Sequence, residues 1–307
     1  MSSSIQAAAI DTDLTDFASG VANDVASALA NFIAPEVVVP TSIGRFKQFN
    51  NKQAFQVYST DRAVGAPANR IQFDANTSTY NCKPQALEIG VDDAERLATV
   101  NQGIPIDDAK VRTLIVAASL SHEDRVFAAV KNSVTAVSSV GVWSNSSNDP
   151  VKEINAQIES IATATGMMPN RIVFGLGAWR VFQDHPLVIA RQPGAQLIGL
   201  STDGAARMVL NPSIDIRIGV FSKDTTKFGA AKNVTNLVGA EVFIFYASAS
   251  PDIYDPSFAK TFTTHSNGVA AVRSYRDERS RSTVHAVDWS EDIQIVSTES
   301  VRRLTIS

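Results

Sequence analysis

The feature that most constrains the fold is an unbroken stretch of twenty-six residues, 107–132, that contains neither Gly nor Pro. Apolar residues recur in it at intervals of three and four, the spacing that places them on one side of an α-helix. This stripe consists of Val111, Leu114, Ile115, Ala118, His122, Val126, Ala129 and Val130, while Lys110, Arg112, Glu123 and Arg125 fall mostly outside it. At the standard rise the helix is about 39 Å long.

A helix of this length is expected to act as a rod within its domain. Asp107 and Asp108 open it after Pro105, and carboxylates there accept free backbone N–H groups and complement the helix dipole. The alternative is an ordinary core helix of a two-layer domain. Neither interpretation gives the stretch an obvious catalytic group.

A second amphipathic helix is predicted near the N-terminus, over Leu14–Ile33. Its apolar side follows a heptad-like spacing. That side consists of Leu14, Phe17, Ala18, Val21, Val25, Ala28, Leu29 and Phe32. The β-branched run Val37–Val39, flanked by Pro35 and Pro40, predicts an extended tether after the helix. The helix must bury its stripe either on its own body or on a neighbouring molecule.

Residues 43–92 alternate polar and apolar side chains and predict a long hairpin. Its strands are expected at Phe46–Tyr58, Arg70–Phe73 and Ser78–Ile89, with a bend at Ala63–Asn69 that carries Gly and Pro. A hairpin of this length is marginal in water unless one face finds another surface. We therefore expect one face of the hairpin to pack against another surface, such as that of another subunit.

Residues 149–255 mix helices and strands and predict an inserted α+β domain. Its elements are a helix at Val151–Thr165 opened by Asp149 and Pro150, a strand within Met168–Gly175, a short helix at Ala178–Pro186, and strands at Ser213–Val220 and Ala240–Ser248. The chain ends in strands predicted to pair beside the long helix, at Val269–Tyr275, Ser282–Trp289, Ile293–Val296 and Val301–Ile306. The domain that contains the long helix is then discontinuous in sequence.

Motifs of catalysis and cofactor binding are weak in this chain. Gly175-Leu176-Gly177 is part of a dinucleotide fingerprint, but Arg180 stands where the third glycine belongs. The four histidines are far apart in sequence and show no zinc-site spacing, and the single Cys82 reads as a small buried hydrophobe. His122 is interpreted as a structural histidine or as a titrating switch, and His185 as part of a helix end. We predict no catalytic residues, no cofactor and no metal.

Composition also excludes several classes of protein. The net charge is −4, and the densest basic group, Arg273 to Arg281, is interrupted by Asp277 and Glu278, which favours ion pairs over a phosphate-binding groove. No run approaches the eighteen apolar residues of a membrane span, and no signal peptide opens the chain, so we expect a protein made in a cytoplasm.

Three runs of the chain resemble the major capsid proteins of tailed bacteriophages, of the Hong Kong 97 type. They are Pro169–Gln192 (PNRIVFGLGAWRVFQDHPLVIARQ), Asn76–Leu97 (NTSTYNCKPQALEIGVDDAERL) and Val272–Ser297 (VRSYRDERSRSTVHAVDWSEDIQIVS). The resemblance covers nearly the whole chain in the same order. It implies an α+β fold with an N-terminal arm at 1–42, an extended E-loop hairpin at 43–92, a peripheral domain at 93–148 and 256–307 with a spine helix at about 107–136, and an axial domain at 149–255.

The resemblance further implies a head protein that self-assembles into hexamers and pentamers of an icosahedral shell around phage DNA. Its expected partners are other copies of itself, non-specifically contacted DNA, and portal, scaffolding and decoration proteins; no membrane is expected, and the virion is assembled in the host cytoplasm. Candidate subunit-interface residues come from the arm and the hairpin: Leu14, Phe17, Val21, Val25, Leu29, Phe32, Arg62, Arg70, Phe73 and Tyr80.

Two departures from the family pattern refine these expectations. Some members begin with a long scaffolding segment, whereas this chain starts at Met1 with a short arm, so scaffolding is expected to be a separate protein or absent. In the namesake a hairpin lysine cross-links neighbouring subunits; the bend 60–69 has Arg62 but no lysine, so non-covalent contacts are expected. The alternatives are an encapsulin-like compartment and, more weakly, a mixed α/β enzyme that uses a nucleotide.

Overall fold

The computed structural model describes residues 27–48, 60–62, 64–65, 67–68, 77–100, 105–137, 142–192, 199–227, 229–264 and 272–307. Within these residues the helices are α1 (Ser27–Ile33), α2 (Asp93–Val100), α3 (Ile106–Ser133), α4 (Pro150–Thr165), α5 (Leu176–Asp184), α6 (Pro186–Ile189) and α7 (Thr202–Ala206). The strands are β1 (Glu36–Val38), β2 (Ile43–Lys47), β3 (Thr77–Asn81), β4 (Lys83–Asp92), β5 (Arg171–Gly175), β6 (Asp215–Gly219), β7 (Ser222–Asp224), β8 (Val234–Asn236), β9 (Glu241–Phe245), β10 (Ala259–Thr263), β11 (Val272–Asp277), β12 (Ser282–Ile295) and β13 (Val301–Thr305).

The first sheet is built around β12, which is fourteen residues long. Residues 282–287 of β12 pair with both β11 and β4, which therefore lie on opposite edges. Residues 292–295 pair with β10, and β1 adds to β10 in parallel. The sequence predicted two strands here, at 282–289 and 293–296, separated by the polar residues 290–292. That division was wrong, because residues 290–292 pair with β4 and β10 and belong to one continuous strand.

The second sheet has the strand order β13-β9-β5-β6. β5 and β6 are parallel, and β9 is antiparallel to both β5 and β13. The last strand does contact the long helix as predicted, through Val301, but it does not pair with the other closing strands, because β13 pairs with β9 and completes this second sheet. The chain end therefore returns to the inserted domain, and the division of the chain at residue 255 does not separate the two sheets.

The long helix α3 has twenty-eight residues and connects the two sheets. Its first half packs Val111, Leu114 and Ile115 against Val287 and Trp289 of the first sheet. Its second half packs side chains among those of the second sheet, in a cluster that includes Val126, Phe127, Val130, Phe243, Phe245 and Val301. At about 42 Å the helix is long enough to reach both, so its interpretation as a rod is confirmed.

Two details of α3 differ from the prediction. Glu123, assigned mostly to the outer side, is fully buried, and so is Phe127. The helix begins without a side-chain cap, and Asp107 instead accepts hydrogen bonds from Arg96 and from His285. Both differences arise because side chains from distant parts of the chain contact the helix.

The predicted hairpin is described at its base, where β2 pairs antiparallel with β3. The expected single strand Ser78–Ile89 is two strands separated at Cys82, because β3 pairs with β2 whereas β4 pairs with β12. Most of the predicted strand Phe46–Tyr58 and all of Arg70–Phe73 lie outside the described residues. The strand β10 was not predicted, because its sequence AKTFT is largely polar, yet all five of its residues are buried.

The predicted N-terminal helix, Leu14–Ile33, is described only over α1. The tether that follows it is extended as predicted, but it forms a strand, because β1 pairs with β10 from Glu36↔Thr261 to Val38↔Thr263. α1 is thus held on both sides, by α3 and by a strand of the first sheet.

Gly175 allows a close backbone approach between β5 and the loop before β9. A Cβ built at this position would lie 1.9 Å from the carbonyl oxygen of Gly239 and 2.7 Å from that of Val238. At Gly177, two residues on, the nearest atom would be at an ordinary 3.6 Å. Packing therefore explains the glycine that a dinucleotide fingerprint also contains.

We predict that Gly175→Ala lowers the free energy of unfolding by roughly 1–3 kcal/mol, because the added methyl forces the backbone apart. Gly177→Ala is the matched control. It lies inside α5 and should leave stability unchanged or raise it by up to about 1 kcal/mol through helix propensity. Unfolding midpoints of the two variants, measured side by side, test this; equal effects would contradict the packing explanation.

Candidate assembly surfaces

The base of the hairpin is fixed to the first sheet by aromatic stacking. The ring of Tyr80, in β3, lies 4.7 Å from that of Phe262, in β10, with only 19° between their planes. Phe46, in β2, contacts the same ring at 5.2 Å. The backbone N–H of Asn81 donates to Asp292 in β12 at 2.7 Å. The two strands therefore leave the body from a fixed root.

Tyr80 was a candidate interface residue, and the structure corrects this. The side chain is 3% exposed, and a Cβ at Gly44 would lie 2.3 Å from its hydroxyl oxygen, so the ring fills the space beside the opposite strand. Cys82 joins this cluster as the buried hydrophobe that was predicted. Burial, with the charge of Asp292, raises the pKa of its thiol to about 11, which makes it a poor nucleophile.

Leu29 and Phe32 are likewise corrected from interface candidates to core residues. Both lie in the cluster that joins α1, α3 and the second sheet, so the alternative of packing on the chain's own body holds for this part of the helix. Arg171 donates to the Phe32 carbonyl at 2.6 Å, and the guanidinium groups of Arg171 and Arg217 lie 4.8 and 4.2 Å from the centre of its ring. The end of α1 is thus clamped to β5 and β6.

One interface candidate remains at the described surface. Arg62 is exposed, close to Val64 and Gly65 of the hairpin bend. The other candidates lie outside the described residues: Leu14, Phe17, Val21, Val25, Arg70 and Phe73.

The structure adds exposed apolar residues that the sequence analysis did not select. Leu176, Leu187 and Ile189 are 45, 36 and 45% exposed, and they lie on α5 and α6, which contact each other. Single exposed apolar residues are common, but three within fourteen residues on two contacting helices suit a contact surface. Helix amphipathicity alone did not reveal them, because their exposure depends on how these two short helices pack.

A cavity of about 580 Å³ lies beside α5 and α6. It is lined by Trp143, Ser144, Ser146, Arg180, Val181, Asp184, His185 and Pro186. His185 Nδ1 accepts a hydrogen bond from the backbone N–H of Leu187 at 3.2 Å and so caps the start of α6. The same residue follows the end of α5, as predicted. With this ring nitrogen occupied, the histidine has a structural role in the recess.

Polar contacts hold both ends of the packing between α3 and β12. His285 Nε2 lies 2.9 Å from Asp107 Oδ1 at one end, and His122 Nδ1 lies 2.5 Å from Glu291 Oε2 at the other. Arg125 pairs with the second oxygen of Glu291 at 2.9 Å. From residue 107 to 122 a helix rises about 22 Å, and from 285 to 291 a strand rises about 20 Å, so both contacts form without distortion.

Ser274, His285 and Asp107 form a chain of hydrogen bonds that resembles a hydrolase triad. Ser274 Oγ lies 2.9 Å from His285 Nδ1, and Asp107 Oδ1 also accepts from Arg96 at 2.6 Å. Ser274 and His285 are direct cross-strand partners, and none of the three lines the cavity described above. These hydrogen bonds connect β11, β12, α2 and α3.

The basic group at Arg273 to Arg281 was predicted to form ion pairs, and Arg273 and Arg276 do so. Arg273 pairs with Asp288 at 2.5 Å, and Arg276 makes two hydrogen bonds to Asp93 at 2.5 and 2.6 Å. The guanidinium of Arg276 lowers the pKa of the Asp93 carboxyl. These groups are exposed, so each pair adds little stability, but their charges are not free for a phosphate backbone.

Among the described residues, no group of three or more His, Cys, Asp and Glu side chains is arranged to hold a metal ion. In the same part of the chain, every helix is too short or too polar to cross a bilayer.

Comparisons with known proteins bear on the whole chain. No family model matches the sequence. The chain is 24% identical over 277 residues to the major capsid protein of Burkholderia phage BcepMu, and the match covers 86% of each protein. Among solved structures, a phage-related protein from Bordetella bronchiseptica RB50 has a TM-score of 0.75 at 22% identity, with 98% of each chain covered.

More distant structures share the fold. The capsid of the Myoviridae phage XM1 has a TM-score of 0.53 at 9% identity and covers 89% of this chain and 90% of its own. The SrpI encapsulin of Synechococcus elongatus PCC 7942 has a TM-score of 0.55 at 12% identity and covers 92% and 88%. The α+β fold implied by the resemblance is therefore confirmed.

We predict that Tyr80→Ala lowers the free energy of unfolding by about 3 kcal/mol, because it removes the ring that stacks on Phe262 and leaves a cavity. Tyr254→Ala is the matched control, since that ring is 63% exposed, and we expect a change within about 0.5 kcal/mol. Chemical denaturation of both variants measures the difference. Unchanged stability in Tyr80→Ala, with loss of self-association only, would return Tyr80 to an interface role.

Proposed function

This chain has the capsid-protein fold of tailed phages, of the Hong Kong 97 type, and we propose that it is a major capsid protein whose copies form the shell of a phage head. The match to the BcepMu major capsid protein, over 277 residues and 86% of each protein, carries the proposal. A match of this extent covers most of both chains rather than one shared motif. Such a subunit has a structural role and resides in the virion.

We further assign the parts of the fold to roles in the shell. Residues 1–42 are the arm, 43–92 the E-loop, and α3 the spine helix of a peripheral domain built on the first sheet. Residues 149–255 form the axial domain, to which β13 is added because it pairs with β9. The domain boundary then follows the two sheets rather than the linear order of the chain.

Assembly works by repetition of modest contacts. A closed shell uses the same subunit surfaces many times, so each contact can be weak while the whole is stable. The hairpin is suited to this role, because its root is fixed in the subunit core while its described bend, at Arg62, Val64 and Gly65, is exposed. We expect hexamers and pentamers, non-covalent contacts, and portal, scaffolding and decoration proteins as partners in the host cytoplasm. The net charge of −4 suits a shell whose lumen holds DNA without binding it tightly.

An encapsulin-like compartment is the second candidate, and the likeness to the SrpI encapsulin favours it. The two functions differ in what the shell encloses. Neighbouring genes for a portal and a terminase would support the phage head, whereas co-purification of one enzyme inside the shells would support the compartment. The third alternative, a nucleotide-using enzyme, loses its only motif, because packing against Gly239 accounts for Gly175.

Electron microscopy of the purified full-length protein should show capsomers or closed shells.

We predict that Ile189→Glu reduces this assembly strongly while the unfolding midpoint changes little, because the side chain is 45% exposed and a charge there would have to be desolvated between axial domains. Ile189→Val keeps an apolar side chain and should assemble normally. Normal shells from Ile189→Glu would refute the contact assigned to α5 and α6, and a strictly monomeric wild type would refute the shell function itself.

A further inference from the structure

We propose that Glu123 is a buried proton-binding site that controls how firmly α1 is docked on the subunit body. α1 lies directly before β1, so its docking sets how the chain enters the first sheet. The site rests on contacts within one chain and goes beyond the role in a shell.

The carboxylate of Glu123 is bonded to a helix that lies far away in sequence. Its Oε1 accepts the backbone N–H of Ala30 at 2.8 Å, across ninety-three residues, and the N–H of Leu29 also interacts with it. Glu123 on α3 therefore holds the backbone of α1 directly.

The site is closed to solvent and incompletely satisfied. Glu123 has no exposed surface, and its Oε2 has no hydrogen-bond partner among the described residues. Within the same described set, the buried Oγ of Ser119, one turn earlier on α3, and Oδ1 of Asn31 on α1 also lack partners. An ionised carboxylate here has one oxygen bonded to α1 and another that is buried without compensation, which is costly.

Charged groups surround the site from several elements, but they are engaged with one another. On α3, His122 is hydrogen-bonded to Glu291 of β12, and Arg125 forms an ion pair with the same carboxylate. The charge of Glu36 on β1 acts on His122, and α1 has no charged residue. Other charges on the elements that hold α1 are also engaged. Arg171 of β5 is bonded to the Phe32 carbonyl, and Lys260 of β10 to the carbonyls of Asp252, Ile253 and Asp255. Arg217 of β6 pairs with Asp215, and on α3 Asp124 pairs with Lys223 and Lys131 with Glu241.

Burial outweighs these charges. It raises the pKa of Glu123 from 4.5 to about 7, against the lowering effects of the Ala30 N–H, the His122 charge and the Leu29 N–H. For His122, burial lowers the pKa, but the hydrogen bond and charge of Glu291, with Glu36 and Glu123, more than offset it and the pKa is raised. Both groups therefore favour the protonated form in the folded chain.

Docking of α1 is linked to this proton because α1 covers the carboxyl group. If α1 undocks, Glu123 meets water and its pKa returns toward 4.5. Since the docked form has the higher pKa, the stabilising contribution is complete below 4.5 and is lost as the pH rises through about 7. Between one unit below and one unit above 7, the docking equilibrium should weaken about tenfold.

Hydrogen–deuterium exchange of the full-length protein tests the proposal. Protection of residues 29–34, corrected for the intrinsic rate, should fall about tenfold between about pH 6 and about pH 8. In Glu123→Gln, which keeps the carbonyl acceptor but cannot ionise, protection should be the same at both pH values. Glu278→Gln, at a side chain that is 84% exposed, is the control and should keep the wild-type dependence.

Two outcomes would overturn the proposal. Protection of α1 that does not change with pH in the wild type excludes the coupling. A dependence that survives in Glu123→Gln but disappears in His122→Gln assigns the proton to the histidine. The particle size must be the same at both pH values, so that a change in the protection of α1 cannot come from assembly or disassembly of shells.

A second measurement covers the case in which Glu123→Gln fails to fold. Difference infrared spectroscopy of the wild type should show the carbonyl band of one protonated carboxylic acid that disappears near pH 7. If every carboxyl group in the folded protein is already ionised by about pH 5.5, as exposed groups are, the site does not hold a proton and the proposal fails.

Discussion

The packing of one long helix along one long strand is the contact on which the rest of the structure depends. α3 places Val111, Leu114 and Ile115 on Val287 and Trp289 of β12, and polar contacts close this packing at both ends. Because β12 pairs with β4, β10 and β11, fixing it against α3 also fixes the first sheet. The remaining length of α3 reaches the second sheet, so a single rigid element sets the geometry between both.

That frame also fixes the base of the hairpin and the position of α1. The hairpin leaves from a root whose aromatic side chains are stacked on β10, and α1 is held by α3, β5 and β6. The residues that anchor these segments, among them Tyr80 and Phe32, are buried within the chain, whereas Arg62 of the bend is exposed. Anchor and contact are different residues, because a side chain that fills its own core cannot also fill a neighbour's.

Polar residues are used in this fold where separate segments meet. Glu291 joins β12 to α3, Lys260 holds the loop 252–255 through its carbonyl groups, and Glu123 holds the backbone of α1. A buried polar group tolerates fewer arrangements than an apolar one, since a lost partner costs its full desolvation. These contacts therefore specify which segments dock together, and they make docking sensitive to protonation where the partner is a carboxyl group.

The sequence by itself determined the long helix, most of the elements of the inserted domain and the type of fold, because periodicity and turn residues act over a few neighbours. It also identified Cys82 and His185 as structural. Only the tertiary structure decided that β13 joins the second sheet, that Tyr80, Leu29 and Phe32 are core residues, and that Glu123 is buried. These outcomes depend on contacts across 93 residues for Glu123 and 169 for His122, which no local pattern encodes, since the same amphipathic side can face the chain's own body or a neighbour.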